Sequence, residues 1–166
     1  LARLLLCTST IRPLCRNVGA LPLIIGTFAG VRGLMVMSGN SVILTRGPKV
    51  LIKGPEQPVL IIVRSFNRVY ASGVTAEDIA REGITNFASL TGFAIESTGD
   101  VRFAGGDGFE IVARGRSSET GEPVAVVQWV TMLDNAYLRV VGIANPDTRV
   151  SDFEAFRMVR DSIQVK

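Results

Sequence analysis

PVAVVQWVTMLDNAYLRVVGIAN, residues 123–145, is the stretch on which the fold turns. It divides into two runs, Val124 to Leu133 and Tyr137 to Ile143, around Asp134-Asn135. Asp and Asn suit a tight hairpin turn because both tolerate positive φ. Side chains alternate between the two faces of a strand. In the first run Val124, Val126, Gln128, Val130 and Met132 share one face, and Ala125, Val127, Trp129, Thr131 and Leu133 the other. In the second, Leu138, Val140, Gly142 and Ala144 oppose Tyr137, Arg139, Val141 and Ile143. A hairpin wetted on one side alternates apolar with polar, so a ribbon apolar on both sides is covered on both sides. The expectation is a hairpin in the middle of a sheet, with one layer above it and one below.

Upstream, Val31 to Met37 and Ser41 to Arg46 read as a hairpin around Ser38-Gly39-Asn40, and Val50 to Ile52 as its continuation past Gly47-Pro48. Val59 to Ser65 is a third strand, apolar on both faces and therefore also central. The period then changes. Ala76, Ile79, Ala80, Gly83, Phe87 and Leu90 follow helical spacing, with Thr75 as N-cap, Glu77 and Asp78 in the first turn and Gly92 as the C-terminal glycine. Gly83 is a poor choice for a helix interior, costing about 1 kcal/mol against Ala. Phe93 to Phe103 reads as extended chain broken at Thr98-Gly99-Asp100. Gly105-Gly106-Asp107-Gly108 reads as a turn, Phe109 to Arg114 as a strand and Ser117 to Gly121 as a polar loop. Ser151 with Glu154 makes a capping box for a last helix, whose stripe is Phe153, Phe156, Val159 and Ile163, with Arg157 and Arg160 facing solvent. The expected class is α+β: a central antiparallel sheet of about six to seven strands with helices packed on its faces, an α/β/α sandwich.

The totals bound the partners. The chain has 166 residues and net charge +3, but the charge is unevenly placed. Leu1 to Pro55 holds seven basic residues and no acid, whereas Glu56 onward holds eleven basic and fifteen acidic residues. A mildly acidic body without a dense basic block is a poor nucleic-acid surface. The longest uncharged stretch, Asn17 to Val31, has 15 residues and is interrupted by Pro22 and three glycines, so no membrane-spanning helix is expected. Leu1 to Ala20, acid-poor and Arg-containing, reads as a targeting remnant or a non-native arm outside a single domain of residues 21–166. Cys7 and Cys15, both in that segment, read as incidental thiols.

Reactive chemistry is scarce. Without histidine there is no Ser-His-Asp or Cys-His arrangement and no His-containing metal site. No P-loop, no GxGxxG after a strand and no calcium loop occurs, so neither cofactor nor metal is expected. Gly105 to Gly108 as an anion-binding nest, and Asp107 with Glu110 or Glu119 with Glu122 as carboxylate pairs, are weaker readings than turn and solvated loop. Trp129, Tyr137 and Arg139 are the candidate binding residues, the two aromatics as walls of a pocket. A charge on a central strand needs a partner, and an ion pair with Glu110, or a contact with Gln128, is the expected solution for Arg139.

Several stretches resemble the PsbP-like (Mog/PsbP/DcrB) superfamily. They are Gly105-Gly106-Asp107-Gly108-Phe109-Glu110-Ile111, Ala113-Arg114, Gly121, Val126-Val127-Gln128, Tyr137-Leu138-Arg139-Val140-Val141-Gly142, and the closing helix with Phe153 and Phe156. Phe28 to Val63 fits the family's opening hairpin more loosely. The resemblance implies a central antiparallel sheet between helices and a non-catalytic role, since members serve as accessory or docking proteins in the thylakoid lumen, as periplasmic or lipid-anchored bacterial proteins, or as partners of a small GTPase. No member's functional residues map onto this chain, and its lack of histidine argues against the metal binding of some plant members. The expectation is an exported bacterial protein that binds another protein, with the cytoplasm as the other compartment. The alternatives are a carrier of a small apolar ligand between sheet and helix and, behind it, a carboxylate-dependent hydrolase using Asp107 and Glu110.

Overall fold

The computed structural model describes residues 40–46, 55–65 and 73–165 in full, and Leu5–Thr8, Leu23–Thr27 and Arg32–Met37 by backbone pairing. In chain order the strands are β1 (Leu5–Thr8), β2 (Leu23–Thr27), β3 (Arg32–Met37), β4 (Ser41–Thr45) and β5 (Val59–Arg64). Helix α1 (Ala76–Thr85) is followed by β6 (Leu90–Phe103), β7 (Gly106–Ser117), β8 (Pro123–Leu133) and β9 (Ala136–Ala144). Helix α2 (Arg149–Asp161) and β10 (Gln164–Val165) close the order. Seven strands form one sheet in the order β3-β4-β5-β9-β8-β7-β6, and every neighbouring pair in it is antiparallel. The crossover through α1 carries the chain from β5 to the far edge, and β6 to β9 then meander back to lie beside β5. A second, three-stranded sheet, β1-β2-β10, was not foreseen; it pairs Leu5–Thr8, from the segment read as a leader, with Leu23–Thr27.

The β8–β9 hairpin is central and covered on both faces. Val127, Trp129, Leu138 and Val140 pack with Leu44, Leu60 and Ile62 under Phe153, Phe156 and Val159 of α2. Val124, Val126, Val130 and Val141 pack with Phe109, Ile111 and Ala113 against Ala80 and Ile84 of α1. Each such side chain contributes roughly 1.5–3 kcal/mol when fully buried, so two apolar faces hold two layers. The layers approach closely. Gly142 lies beneath Phe156, and a methyl there would sit 2.7 Å from Phe156 Cε2 and nearer still to Cδ2.

Several local expectations change. The Asp134-Asn135 turn is where expected, but neither residue has positive φ. Among the described residues Ala104 alone, besides glycines, does so, at +53°, followed by Gly105 at +85°. These two form the β6–β7 turn, so residues 106–108 lie in strand and no Gly105–Gly108 nest forms. Strand β6 is not broken at Thr98-Gly99-Asp100 and runs through it, with bulges nearer its start. Helix α1 has the expected Thr75 cap, as a reciprocal box with Asp78, but ends at Thr85. Leu90 begins β6, and Leu90 and Phe87 keep their core contacts from outside the helix. The N-cap of α2 is Thr148 rather than Ser151, and no Ser151–Glu154 box forms. Val50 to Ile52 lies outside the described residues.

Candidate functional site

Strand register brings the singled-out side chains into two separate clusters. Glu110 of β7 stands opposite Trp129 of β8, on the α2 side. The indole Nε1–H donates to Glu110 Oε2 at 2.5 Å. The Arg160 guanidinium lies 5.0 Å over the indole ring, and Arg157 Nε and Arg160 reach the same carboxylate oxygen at 3.6 Å. Arg160 also holds Asp161 Oδ1, at 2.7 Å from Nε. Arg160 is buried, contrary to the solvent-facing expectation, because its stem and charge roof Trp129, which has no exposed surface. The cluster fastens the last turn of α2 to the sheet.

Arg139 and Tyr137 lie on the opposite, α1 side, so Trp129 and Tyr137 do not line one pocket. The expected Arg139–Glu110 ion pair is absent because the two side chains leave opposite faces of the sheet. Arg139 instead donates from Nε to Gln128 Oε1 at 2.7 Å and from Nη2 to Gly83 O at 2.8 Å, with its guanidinium 5.4 Å from the Phe87 ring. Gln128 donates in turn to Ala80 O at 2.7 Å. All fifteen acids of the chain are among the described residues, and none pairs with Arg139. Burial holds its pKa below the ordinary value, partly opposed by Tyr137. The helix end supplies the compensation: the last turn of α1 contains no basic residue, and Arg139 meets one of its carbonyls from the sheet. This also explains Gly83. A Cβ there would sit 3.0 Å from Arg139 Cζ, so the helix-weakening glycine makes room for the guanidinium. Tyr137 is half-buried, and its backbone N–H donates to Ser65 Oγ at 2.8 Å.

The remaining candidates are dispersed. Asp107 and Glu110 point to opposite faces, with Asp107 almost fully exposed, so they form no acid/base pair. Glu119 and Glu122 are exposed in the β7–β8 connection. Among the described residues no cluster of three or more His, Cys, Asp or Glu could hold a metal, and no helix is long and apolar enough to cross a membrane. An apolar cavity between the sheet and α2, lined by Leu44, Leu60, Phe156 and Val159, has about 10 Å³, room for about one water. A polar cleft of about 360 Å³ opens where Arg46 meets Asp152 at 3.4 Å, beside Pro58, Asn145 and Ser151.

The feature that sequence reasoning missed is an edge. Strand β6 has 14 residues and among the described residues pairs only with β7, and Thr91 to Asp100 is exposed apart from half-buried Phe93 and Gly99. Its signal in the sequence is the polar run from Glu96 to Asp100, of which Thr98-Gly99-Asp100 reads as a break.

The fold is thus an antiparallel sheet enclosed by one helix on each face, with its polar clusters used to fasten those helices and one long strand edge open. It is the PsbP/Mog1-like fold. No family profile and no curated protein matches the chain. Solved structures do match. LpqN of Mycobacterium tuberculosis, involved in cell envelope biogenesis, is similar at 10% identity with TM-score 0.64, over 87% of this chain and 83% of that one. The Ran-binding protein Mog1p of Saccharomyces cerevisiae is similar at 8% identity with TM-score 0.59, over 87% and 90%. The cyanobacterial PsbP of Synechocystis is similar at 13% identity with TM-score 0.51, over 84% and 95%.

Proposed function

We propose that this chain is a non-catalytic accessory module that binds a protein strand along an open sheet edge. The observation that carries the reading is β6, a long, exposed strand with one side unpaired among the described residues. Such an edge offers a row of backbone donors and acceptors to an extended segment of a partner. Trp129, Tyr137 and Arg139 serve this function indirectly, by holding α1 and α2 on the sheet that presents the edge. A protein partner agrees with the Ran binding in the name of Mog1p. An exported bacterial setting is part of the proposal, supported by the likeness to LpqN. The carrier alternative has less in its favour, because Trp129 is enclosed and the apolar cavity beside α2 admits about one water. A photo-crosslinking residue at Thr98, with Glu82 on α1 as control, tests the proposal in intact cells making the protein. The expected result is a discrete protein adduct from Thr98 and none from Glu82. No adduct, or equal adducts from both positions, overturns it.

A further inference from the structure

We propose that the occupant of the β6 edge is a second copy of this chain, paired antiparallel about Val101; the inference rests on the edge-binding reading above. In a hairpin closed by a two-residue turn, the flanking residues form a hydrogen-bonded pair. Here that pair is Phe103 and Gly106, and the register is unbroken from Ser97 to Phe103. Phe103, Val101 and Gly99 therefore direct their backbone groups to β7, whereas Thr98, Asp100 and Arg102 direct theirs outward. The outward groups have no partner among the described residues. The bulges between Thr91/Ala94 and Ile95/Ser97 and the turn at Ala104-Gly105 confine the usable edge to the segment between them.

That segment is self-complementary. A two-fold axis through Val101 sets Asp100 opposite the partner's Arg102, and Arg102 opposite the partner's Asp100. Both positions have outward backbone groups, so each pair exchanges two main-chain hydrogen bonds. Both side chains lie on the α1 side, since Asp100 pairs with Phe109 of the α1 cluster. The charges thus meet as two opposite-sign cross-strand pairs, the favourable arrangement for directly opposed residues. On the other face Val101, half-buried against the α2 cluster, meets its own copy. Among the described residues exposed Asp100 has no ion pair, and Arg102 has one long contact, 3.9 Å to Asp107, with both side chains largely exposed. The symmetry uses the same edge on both copies, so the pairing closes as a dimer instead of propagating.

Sedimentation equilibrium of the whole chain over a wide concentration range tests this. Wild type is expected to show a monomer–dimer equilibrium. Asp100→Arg and Arg102→Asp, each placing like charges opposite one another, are expected to weaken it by about tenfold or more. The double charge swap Asp100→Arg/Arg102→Asp restores it to within about threefold. A wild-type chain monomeric throughout, single variants that associate like wild type, or a swap that fails to restore association overturns the inference. The Thr98 crosslink separates the two claims. An adduct of two identical chains supports both, an adduct to a different protein overturns the second copy and keeps edge binding, and no adduct overturns both.

Discussion

Gly142→Ala is the sharpest probe of the layered core. On an exposed strand this substitution would be mildly stabilising, since it removes unfolded-chain freedom worth about 0.4–1 kcal/mol. At Gly142 the added methyl must enter space held by the ring of Phe156, with Cε2 at 2.7 Å and Cγ at 3.1 Å. Phe156 is 4% exposed and packs in the cluster with Phe153 and Val159, so the ring cannot swing aside without moving α2. Overpacking of this kind costs about 1–3 kcal/mol. Phe156→Ala alone should cost about 3–5 kcal/mol through the cavity it leaves. In the double variant the methyl occupies part of that cavity, so the losses should fall short of additivity by at least about 1 kcal/mol. Urea denaturation of the four proteins gives the cycle, with the slope as a check that unfolding remains cooperative. A neutral or stabilising Gly142→Ala, or strict additivity with Phe156→Ala, would refute the claim that α2 rests directly on β9.

Three further outcomes follow from the polar clusters. Glu110→Ala leaves the Trp129 indole N–H without its acceptor and takes one carboxylate from Arg157 and Arg160, so it should destabilise by about 1–3 kcal/mol and raise acrylamide quenching of the single tryptophan; unchanged quenching contradicts the latch. Arg139→Met removes the donor to Gly83 O and strands Gln128 Oε1, costing about 1–3 kcal/mol and loosening α1 selectively in hydrogen exchange. Loss spread evenly over both helices would argue against that assignment. Thr75 backbone and side-chain hydrogen bonds hold the Asp78 pKa below its usual 3.8. A depressed native value stabilises fully above the unfolded value and is lost as pH falls through the native one, so Asp78→Asn should flatten the stability profile below about pH 4 and leave its slope at neutral pH unchanged. An acid limb identical to wild type removes the capping-box account.

The hairpin, both its faces and its central place were legible because alternation over residues 124–144 leaves neither face polar, and coordinates place each side chain on the face that alternation assigns. Helix ends were less so. Phe87 and Leu90 continue the helical period and are buried, but burial constrains the side chain and not the backbone that presents it. Gly99 within Thr98-Gly99-Asp100 suggested a break, yet eleven residue pairs with β7 carry the strand through. Arg139 illustrates the limit at the candidate site. Its need for compensation was legible, but a helix-end carbonyl supplies it, and that carbonyl becomes reachable only once α1 packs on β7 and β8 beside Arg139. Gly83 reads as a weakness in the sequence for the same reason, since the guanidinium it makes room for comes from another strand. The polar run at Glu96 to Asp100 marks exposed chain, but that this strand lies at the border follows from the order β3-β4-β5-β9-β8-β7-β6 and not from local pattern.

The central claim is that the β8–β9 ribbon is enclosed on both faces and that β6 alone of the β6–β9 meander presents an open side. Residue-resolved hydrogen exchange of the whole chain tests both halves at once. Amides from Val124 to Val130 and from Leu138 to Ala144 should exchange only through global unfolding, while those of Thr98, Asp100 and Arg102 exchange much faster than their neighbours Gly99 and Val101 in dilute protein. Fast exchange along one side of the ribbon, or uniform protection of Thr98 to Phe103 at concentrations where the chain is monomeric, would contradict the account.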